Sequence, residues 1–384
     1  MGLLGLATAS ATYLQGALSV LSTYLVDEFG LSPAEFGLAF TIFSVVGALG
    51  SPGVGTLVDV SPRRVIAGLF VSSFAGILMV ASAPSYPWIL LASAVAGLAM
   101  ASSNPVTNKI VSSELPVARH GLVIGIKQAG PPMGLFAAGL VLPFAAAGLG
   151  WRWALASTAL LPLFGLVAIG RLVADESKET ASGRVEPEGR RGGWGTVWWL
   201  ATIGFTRAVG GGAVIAFLPL FAHEDLGYSP AVAGLLASLA GLAGVVGRVT
   251  WGARAARFRD PVAPLTVLAA LALASSATIW AALLAPWLVW VGVLGAGFSI
   301  LAWLAVSWIA LLRAVDPADV GRSTGVIQLA TSGGIAAGPL VMGLVVDATG
   351  SYGWGWGCIT GAFAVTFVLT ALWGRTVGVG ARAT

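Results

Sequence analysis

Long runs of apolar residues, interrupted by short polar segments, make up almost all of this 384-residue chain. A helix that crosses a bilayer needs about 20 mostly apolar residues, and helices are expected because backbone groups in lipid must be paired within each segment. The pattern predicts an all-α integral membrane protein. Dividing the chain at its charged and Pro/Gly-marked loops predicts twelve spans, near 3–26, 34–57, 65–83, 87–113, 120–146, 152–171, 196–222, 230–256, 263–284, 286–313, 321–346 and 353–375.

The composition supports a membrane protein and excludes several functions. Only 9% of the residues are charged, against roughly 25% in soluble domains. The single Cys358 and the two distant histidines, His120 and His223, indicate no disulfide framework and no metal cluster, so we expect no cofactor. The net charge of +4 comes from loop residues and reflects membrane topology, so we expect no nucleic-acid binding.

The charges of the loops predict an orientation. Arg63, Arg64, Arg119 and most other basic residues fall in loops on one side. The other side has Arg152 as its one arginine and carries the acidic residues Asp27, Glu28, Glu35, Glu224, Asp225 and Asp347. By the positive-inside rule the basic side is cytoplasmic, as are both termini. The N-terminus lacks a basic signal-peptide region and is expected to be a retained helix. We expect a multi-pass protein of a bacterial inner (plasma) membrane, monomeric in the bilayer.

A repeat divides the chain into two halves. Gly37, Gly50 and Gly55 match glycines 197 residues later, and GIKQ at 125–128 matches GVIQ at 325–328. The charged segment 175–193 between the halves has the composition of a mobile linker. We therefore predict an N-terminal six-helix bundle over 1–174, a cytoplasmic linker over 175–195 and a C-terminal six-helix bundle over 196–384. Two repeated bundles are typical of transporters that bind substrate between them.

The loop after span 2 reads GTLVDVSPRRV, residues 55 to 65, and resembles the signature loop of the major facilitator superfamily, G-x-x-x-D-[RK]-x-G-[RK]-[RK]. Val60 and Pro62 depart from that pattern. The second copy, 252–260, keeps Gly252 and Arg257 but has Ala256 in place of the acid. Together with twelve spans, a central linker and the repeat, the resemblance covers essentially the whole chain.

The resemblance implies two pseudo-symmetric bundles that alternate access to a central site. Spans 1, 4, 7 and 10 would line the cavity, and spans 2, 5, 8 and 11 would join the halves. The signature loop would act as a cytoplasmic latch; the alternative is that its charges only set topology. The expected latch residues are Gly55, Asp59, Arg63, Arg64, Glu114 and Arg257.

Three cations lie inside predicted spans. Lys127 lies about 10 Å past the start of span 5, Arg207 about 16 Å into span 7, and Arg248 in the inner half of span 8, at a rise of 1.5 Å per residue. Ionisable groups at bilayer depth cost roughly 2.5–3.5 kcal/mol and are functional candidates. No carboxylate is predicted at comparable depth, so carbonyls, water or an anionic substrate must compensate them.

Each cation also has a possible structural role that involves no substrate. Lys127 would snorkel to the surface, Arg207 would pair with the polar first half of the chain, and Arg248 would bond carbonyls across a Gly-rich contact. In the functional interpretation, Lys127 and Arg248 lie on spans that face each other and would together bind a carboxylate. The position of Arg248 also resembles that of an arginine in monocarboxylate and oxalate-type carriers of the superfamily.

Polar and aromatic side chains complete the predicted cavity wall. Such groups orient small ligands by hydrogen bonds, although each would also serve helix–helix packing. The expected substrate-binding residues besides the cations are Tyr13, Gln15, Asn104, Asn108, Gln128, Trp303, Ser307, Trp308 and Gln328.

These features predict a secondary or facilitative transporter for a small organic anion, a carboxylate. Protons are possible coupling ions, although no mid-membrane carboxylate is available to carry them. The alternative is a proton-coupled drug or metabolite exporter of the same fold. A membrane sensor would need a soluble domain or tail that the chain does not show. The sequence contains no Walker loop and no catalytic cluster, so we expect neither an ATP-driven pump nor an enzyme.

Overall fold

The computed structural model describes residues 2–114, 127–172, 194–255, 258, 262–315 and 319–380. Within them, eleven helices are long and apolar enough to cross a bilayer, and two shorter helices in series form span 10. The all-α fold with twelve spans is confirmed. The spans run Gly2–Val20 with Ser22–Phe29, Pro33–Val60, Pro62–Ala81, Tyr86–Glu114, Gly130–Leu149, Trp151–Ser157 with Leu160–Leu172, Trp194–Glu224, Pro230–Ala255, Val262–Ala281, Leu288–Ile300 with Trp303–Ala314, Val320–Thr349 and Tyr352–Gly380.

Span 10 differs from the expectation of one continuous helix over 286–313. The structure ends the first helix at Ile300 and starts the second at Trp303, so that Leu301 and Ala302 form a turn. Neither proline nor glycine occupies these two positions, so no local sequence signal marks the interruption. Spans 1 and 6 are also interrupted, at Leu21 and at Thr158–Ala159.

Local signals set the start of span 2. The Ser32 hydroxyl accepts a hydrogen bond from the Glu35 backbone N–H (3.2 Å), and the Glu35 carboxylate accepts one from the Ser32 backbone N–H (2.9 Å). This capping box, with Pro33 at the first helical position, satisfies amides that have no partner inside the helix. The preceding turn needs a residue with positive φ, which Gly30 supplies at 59°.

The helices form two bundles, spans 1–6 and spans 7–12, and the repeat in the sequence is visible in their packing. Span 2 packs against span 11, and span 5 packs against span 8. Gly37 of span 2 lies against Pro339, while its repeat partner Gly234 of span 8 lies against Gly139 of span 5. Equivalent glycines thus allow equivalent close helix contacts between the halves. The exact limits proposed for the domains are not tested by this packing. Of the predicted linker 175–195, residues 175–193 lie outside the described residues, and Trp194 and Gly195 begin the helix of span 7.

The halves are joined at the end of the molecule remote from Leu172 and Trp194, which we call the far end. Near the far end, the Asp347 carboxylate accepts hydrogen bonds from the Ser32 hydroxyl (2.9 Å) and the Ala34 N–H (3.2 Å). Further in, the Thr41 hydroxyl donates to the Ala336 carbonyl (2.7 Å) and the Ser238 hydroxyl donates to the Phe136 carbonyl (2.9 Å). The two bundles therefore close around their centre from the far end.

Spans 1 and 7 lie deepest between the bundles. The buried share of the 18-residue apolar stretch of each span is 67% for span 1 and 78% for span 7, against 33% for spans 6 and 12. The Ser19 hydroxyl of span 1 donates to the Ile215 carbonyl of span 7 at 2.5 Å, which links them directly. This arrangement places the polar residues of these two spans beside the molecular centre.

Candidate functional site

Two buried arginines meet at the interruption of span 10. The Arg207 guanidinium donates from Nη1 to the Ile300 carbonyl (2.7 Å), and the Arg248 guanidinium donates from Nε to the Leu301 carbonyl (2.7 Å). The side chains come from spans 7 and 8, yet their acceptors are consecutive residues. Their exposed fractions are only 6% and 9%. The structure thus brings together two of the three predicted cations.

The position suits positive charge. The last four carbonyls of a helix have no partner within it, and the helix dipole makes that end partly negative. Ile300 ends a 13-residue helix, so its carbonyl lies about 20 Å from the helix start, well inside a hydrocarbon core of about 30 Å. A broken helix in mid-membrane is tolerated only where protein or a cavity surrounds it. The break therefore provides acceptors for cations at the depth where transporters bind substrate.

The carbonyls satisfy only part of each guanidinium. Arg207 Nε and Arg248 Nη1 are buried and have no hydrogen-bond partner in the described part of the protein. The Arg207 guanidinium also lies 5.6 Å from the centre of the Trp303 ring, a cation–π contact. No aspartate or glutamate is among the buried residues that the structure describes. The pair thus carries two positive charges with unused donors, and the described residues place no buried carboxylate beside it.

A small apolar pocket of about 20 Å³, with room for about one water molecule, adjoins the arginines, between the two bundles. Leu301, whose carbonyl holds Arg248, lines the pocket together with Ile300. Gly211 also lines it, and a Cβ built on that glycine would lie 3.8 Å from Arg207 Nη1. The rest of the wall comes from spans 5, 7, 8 and 10 and consists of apolar residues, among them Leu135, Val214, Ala237 and Ala296.

Lys127 lies apart from the arginines, inside the N-terminal bundle. Its side chain is 1% exposed, and Nζ donates to the Asn108 side-chain oxygen of span 4 (2.5 Å). Its backbone carbonyl accepts a hydrogen bond from the Thr8 hydroxyl of span 1 (2.7 Å). The lysine is thus buried and does not snorkel, and it contacts Asn108, a residue predicted for the same site. No contact in the described residues joins it to either arginine, so the Lys127–Arg248 clamp stays a prediction.

The other predicted substrate residues divide into free and occupied groups. The Gln15 side chain is 9% exposed and its Nε2 has no partner in the described structure, whereas the Ser307 hydroxyl bonds the Leu304 carbonyl of its own helix (3.1 Å) and Gln328 bonds Ser332 (3.2 Å). Tyr13 is buried beside Thr158 of span 6. Asn104, Gln128 and Trp308 are partly buried.

The structure describes little of the predicted latch. Arg63 and Arg64 are exposed at the start of span 3, and no atom lies within 4 Å of a Cβ built on Gly55. The side chains of Asp59 and Glu114, and Arg257 as a whole, lie outside the described residues. The latch therefore remains a prediction.

Two features of the centre and the far end were missed by reasoning from sequence. The acceptors of the arginines are backbone carbonyls, which no side-chain pattern reveals. Asp347 binds across the bundles to the start of span 2, although it lies only at the end of span 11 in the sequence. The repeat could have indicated this contact. It includes Gly37, which packs against Pro339, and Pro339 lies about two turns before Asp347 on span 11.

Fold and site together define a membrane transporter: two repeated six-helix bundles, joined at one end, enclose buried cations beside a pocket in mid-membrane. The model of the Major Facilitator Superfamily matches residues 4–312 and 200–381, which together span nearly the whole chain. The chain belongs to the Major Facilitator Superfamily and is a multi-pass membrane transporter of small molecules, not an enzyme.

Relatives and solved structures agree with this family. The chain is 26% identical over 350 residues to an uncharacterized MFS-type transporter of Mycobacterium tuberculosis, covering 88% of this chain and 74% of that protein. It is 27% identical over 358 residues to monocarboxylate transporter 13 of Rattus norvegicus, covering 87% and 81%. Shorter matches include proteins named for hexuronate and for glucose, so these names do not separate charged from neutral substrates.

The fold is also that of a solved transporter. A bacterial homolog of the human lysosomal transporter Spinster, in an inward-facing and unoccupied conformation, superimposes with a TM-score of 0.76 at 18% identity. The match covers 97% of this chain and 96% of that one. At this identity the likeness concerns the fold alone.

Proposed function

We propose that the protein carries a small organic anion of the carboxylate class by alternating access, with the anion bound at Arg207 and Arg248. The observation that carries the proposal is the pair itself: two buried guanidiniums on consecutive carbonyls, each with an unused N–H. Burying an unpaired charge costs several kcal/mol. A carboxylate would accept bonds from both guanidiniums and supply the missing charge.

The neutral groups that already contact the two arginines do not neutralise their charge as a carboxylate would. Two carbonyls and one aromatic face provide partial negative charge, but the net charge of the pair remains +2. A neutral or cationic substrate would leave that charge in place, and a cation would add to it. The charge of the site therefore favours an anionic substrate. The relative from Rattus norvegicus is likewise named for an anion class, monocarboxylates.

In alternating access, the transport cycle would start from the described conformation, in which the far end is closed. With the basic loops on the cytoplasmic side of the inner membrane, as the positive-inside rule indicates, the described conformation is closed to the outside. Opening would break the Asp347 bonds to Ser32 and Ala34, and the loop residues Arg63 and Arg64 with Asp59 would then hold the cytoplasmic side. Lys127 with Asn108 would provide a second cationic contact on the path of the anion.

The coupling follows from the same residues. Because the buried part of the described structure holds no carboxylate, a transported proton would travel with the substrate, or the protein would work as a uniporter or exchanger. Proton-coupled export of a neutral drug is the competing function, and the apolar pocket is the observation that favours it. The two functions are distinguished by whether substitution of Arg207 and Arg248 changes transport.

Uptake by proteoliposomes tests the proposal. The wild type, Arg207→Gln, Arg248→Gln and the control Arg254→Gln should be compared with a panel of radiolabelled carboxylates, amino acids and neutral drugs. Arg254 is an exposed cation on the same helix as Arg248, so its variant matches the change in charge. We expect carboxylate uptake to fall at least tenfold in the first two variants only. Unchanged uptake of every accepted anion in both would refute the proposal.

A further inference from the structure

A proline inside span 7 leaves one backbone carbonyl without its helical partner. Because proline has no N–H, the carbonyl four residues before it loses the hydrogen bond of a regular helix. Pro219 stands inside span 7, so the carbonyl that it frees is that of Ile215. The Ser19 hydroxyl of span 1 donates to this oxygen at 2.5 Å and takes the place of the missing N–H. The donor and the acceptor therefore belong to different bundles.

The chain uses the same pairing within one bundle. Pro105 of span 4 frees the Ala101 carbonyl, which accepts a hydrogen bond from the Ser51 hydroxyl of span 2 at 3.1 Å. Spans 2 and 4 both belong to the N-terminal bundle, so this bond is kept when one bundle moves against the other. The Ser19 bond joins the two bundles and has to break when they separate at its level.

Another hydroxyl bond between the bundles differs in its acceptor. The Ser238 hydroxyl donates to the Phe136 carbonyl at 2.9 Å. The helix of Phe136 continues through Leu140, whose backbone N–H is available to the same carbonyl. Loss of the Ser238 hydroxyl thus leaves the Phe136 carbonyl with a donor, whereas loss of the Ser19 hydroxyl leaves the Ile215 carbonyl with none from its own helix.

Water does not replace the Ser19 hydroxyl in the described conformation. Ser19 is fully buried, and Ile215 also lines the small apolar pocket beside the arginines. That pocket of about 20 Å³ has room for about one water, but a buried water needs two to four polar partners, which the apolar wall lacks. The Ile215 carbonyl is therefore paired by Ser19 while the bundles are closed, and by water only after the far end has opened.

We infer that the bond between Ser19 and Ile215 controls closure of the far end, and that Pro219 is the reason why closure depends on this one hydroxyl. Without the hydroxyl, the closed state keeps an unpaired carbonyl between the bundles and the open state does not, so the equilibrium shifts toward the open state. The inference rests on the alternating access of the proposed function and does not depend on which substrate is carried.

The labelling rate of a buried cysteine near the far end tests the inference. Ser22 is fully buried, lies three residues beyond Ser19, and belongs to the helix Ser22–Phe29, which packs against span 7. Its hydroxyl has no partner in the described structure, so Ser22→Cys removes no hydrogen bond. In a Cys358→Ser background in nanodiscs, this cysteine should react with a charged maleimide only while the far end is open. We expect Ser19→Ala to raise the rate at least about fivefold, as expected for an unpaired buried acceptor.

Two further serine-to-alanine variants are matched controls. Ser51→Ala leaves a freed carbonyl unpaired within one bundle and should change the rate less than about twofold. Ser238→Ala removes a bond between the bundles whose carbonyl keeps a backbone donor, so its rise should be smaller than that of Ser19→Ala.

The proline gives the sharpest comparison. Pro219→Ala restores the N–H that the Ile215 carbonyl lacks. Adding Ser19→Ala to this variant should raise the labelling rate only about twofold, the effect of losing an ordinary hydrogen bond. If Ser19→Ala raises the rate as much with alanine at position 219 as with proline, the freed carbonyl has no part in closure and the inference is overturned.

The outcomes also separate the inference from the proposed function. If the cysteine reacts in the otherwise wild-type protein and Ser19→Ala leaves its rate unchanged, the inference fails while the anion site at Arg207 and Arg248 stands. If the cysteine reacts only after denaturation, the far end does not open, and alternating access fails together with the inference. The distance between spin labels on Ser85 and Leu284, which are exposed far-end residues of opposite halves, is a second readout that needs no change at Ser22. It should lengthen in Ser19→Ala.

Discussion

Arg207 and Arg248 lie on different helices but donate hydrogen bonds to the carbonyl oxygens of adjacent residues, Ile300 and Leu301, each at 2.7 Å. One turn of span 10 thus holds two cations from two helices. A ligand that bonds both guanidiniums would act on spans 7, 8 and 10 at once. The interruption of span 10 is therefore the place where binding would be coupled to movement of the C-terminal bundle.

Binding of an accepted carboxylate should stabilise the folded protein through this pair. At 100 times Kd, a ligand that binds only the folded state adds about 2.7 kcal/mol. We expect the apparent melting temperature of the wild type, followed by tryptophan fluorescence in nanodiscs, to rise with phenylacetate. The rise should be absent in Arg248→Gln and unchanged in Arg254→Gln. An equal rise in all three proteins would locate the ligand elsewhere.

The Lys127–Asn108 contact predicts the effect of a new carboxylate. Asn108→Asp would place a negative charge at the acceptor that Lys127 already uses at 2.5 Å. The lysine would then be neutralised within the protein, and carboxylate uptake should fall as far as it does in Lys127→Gln. Thr8→Ser, which keeps the hydroxyl that binds the Lys127 carbonyl, should leave uptake unchanged. Full uptake in both Asn108→Asp and Lys127→Gln would show that Lys127 has no role in binding the anion.

Closure of the far end should depend on the bond between Ser32 and Asp347. Loss of a helix cap costs about 1 kcal/mol, or about fivefold in an equilibrium between closed and open states. Asp347→Asn should therefore populate longer distances between spin labels on Ser85 and Leu284, two exposed far-end residues of opposite halves, measured in a Cys358→Ser background. Because Ser32→Ala removes part of the same interaction, the double variant should add less than the sum of the two effects. Strict additivity would mean that the two residues act independently.

The close contact at Gly37 gives a steric version of the same test. A Cβ at this glycine would overlap the Pro339 backbone across the interface, and backbone cannot move aside as a side chain can. Gly37→Val should hold the far end open and abolish uptake, since the proposed alternating access needs both ends to close in turn. Gly68→Val, at a glycine with no atom within 4 Å of the new Cβ, is the matched control. Normal uptake by Gly37→Val would contradict the closed packing described for the far end.

The sequence predicted the spans, the repeat and the buried cations, because each depends on composition along one helix. Arg207, Arg248 and Lys127 are all buried, as their depth implied. The break at Leu301–Ala302 could not be predicted, since tertiary packing and not proline or glycine places it there. The same holds for the partners: Arg207 bonds carbonyls of its own bundle instead of the polar first half, because helix ends offer acceptors that only the folded chain brings into reach.

The pairing of Lys127 with Asn108 shows where sequence reasoning reached part of the site. Both residues were selected separately, as an ionisable group on span 5 and a polar group on span 4, and the structure joins them. Their relation to the arginines could not be predicted from the repeat, because Ile327 and not a lysine stands at the equivalent position of span 11. The site is asymmetric, although the bundles are similar.

The central claim, that the site selects for negative charge, is tested most directly by three ligands with the same ring and different charge: phenylacetate, phenylacetamide and phenethylamine. Each should be titrated calorimetrically against the wild-type protein in nanodiscs, with empty nanodiscs subtracted. The arginine pair predicts that phenylacetate binds at least tenfold more tightly than the amide and that the amine does not bind. Binding of the amine as tight as that of phenylacetate would contradict the claim.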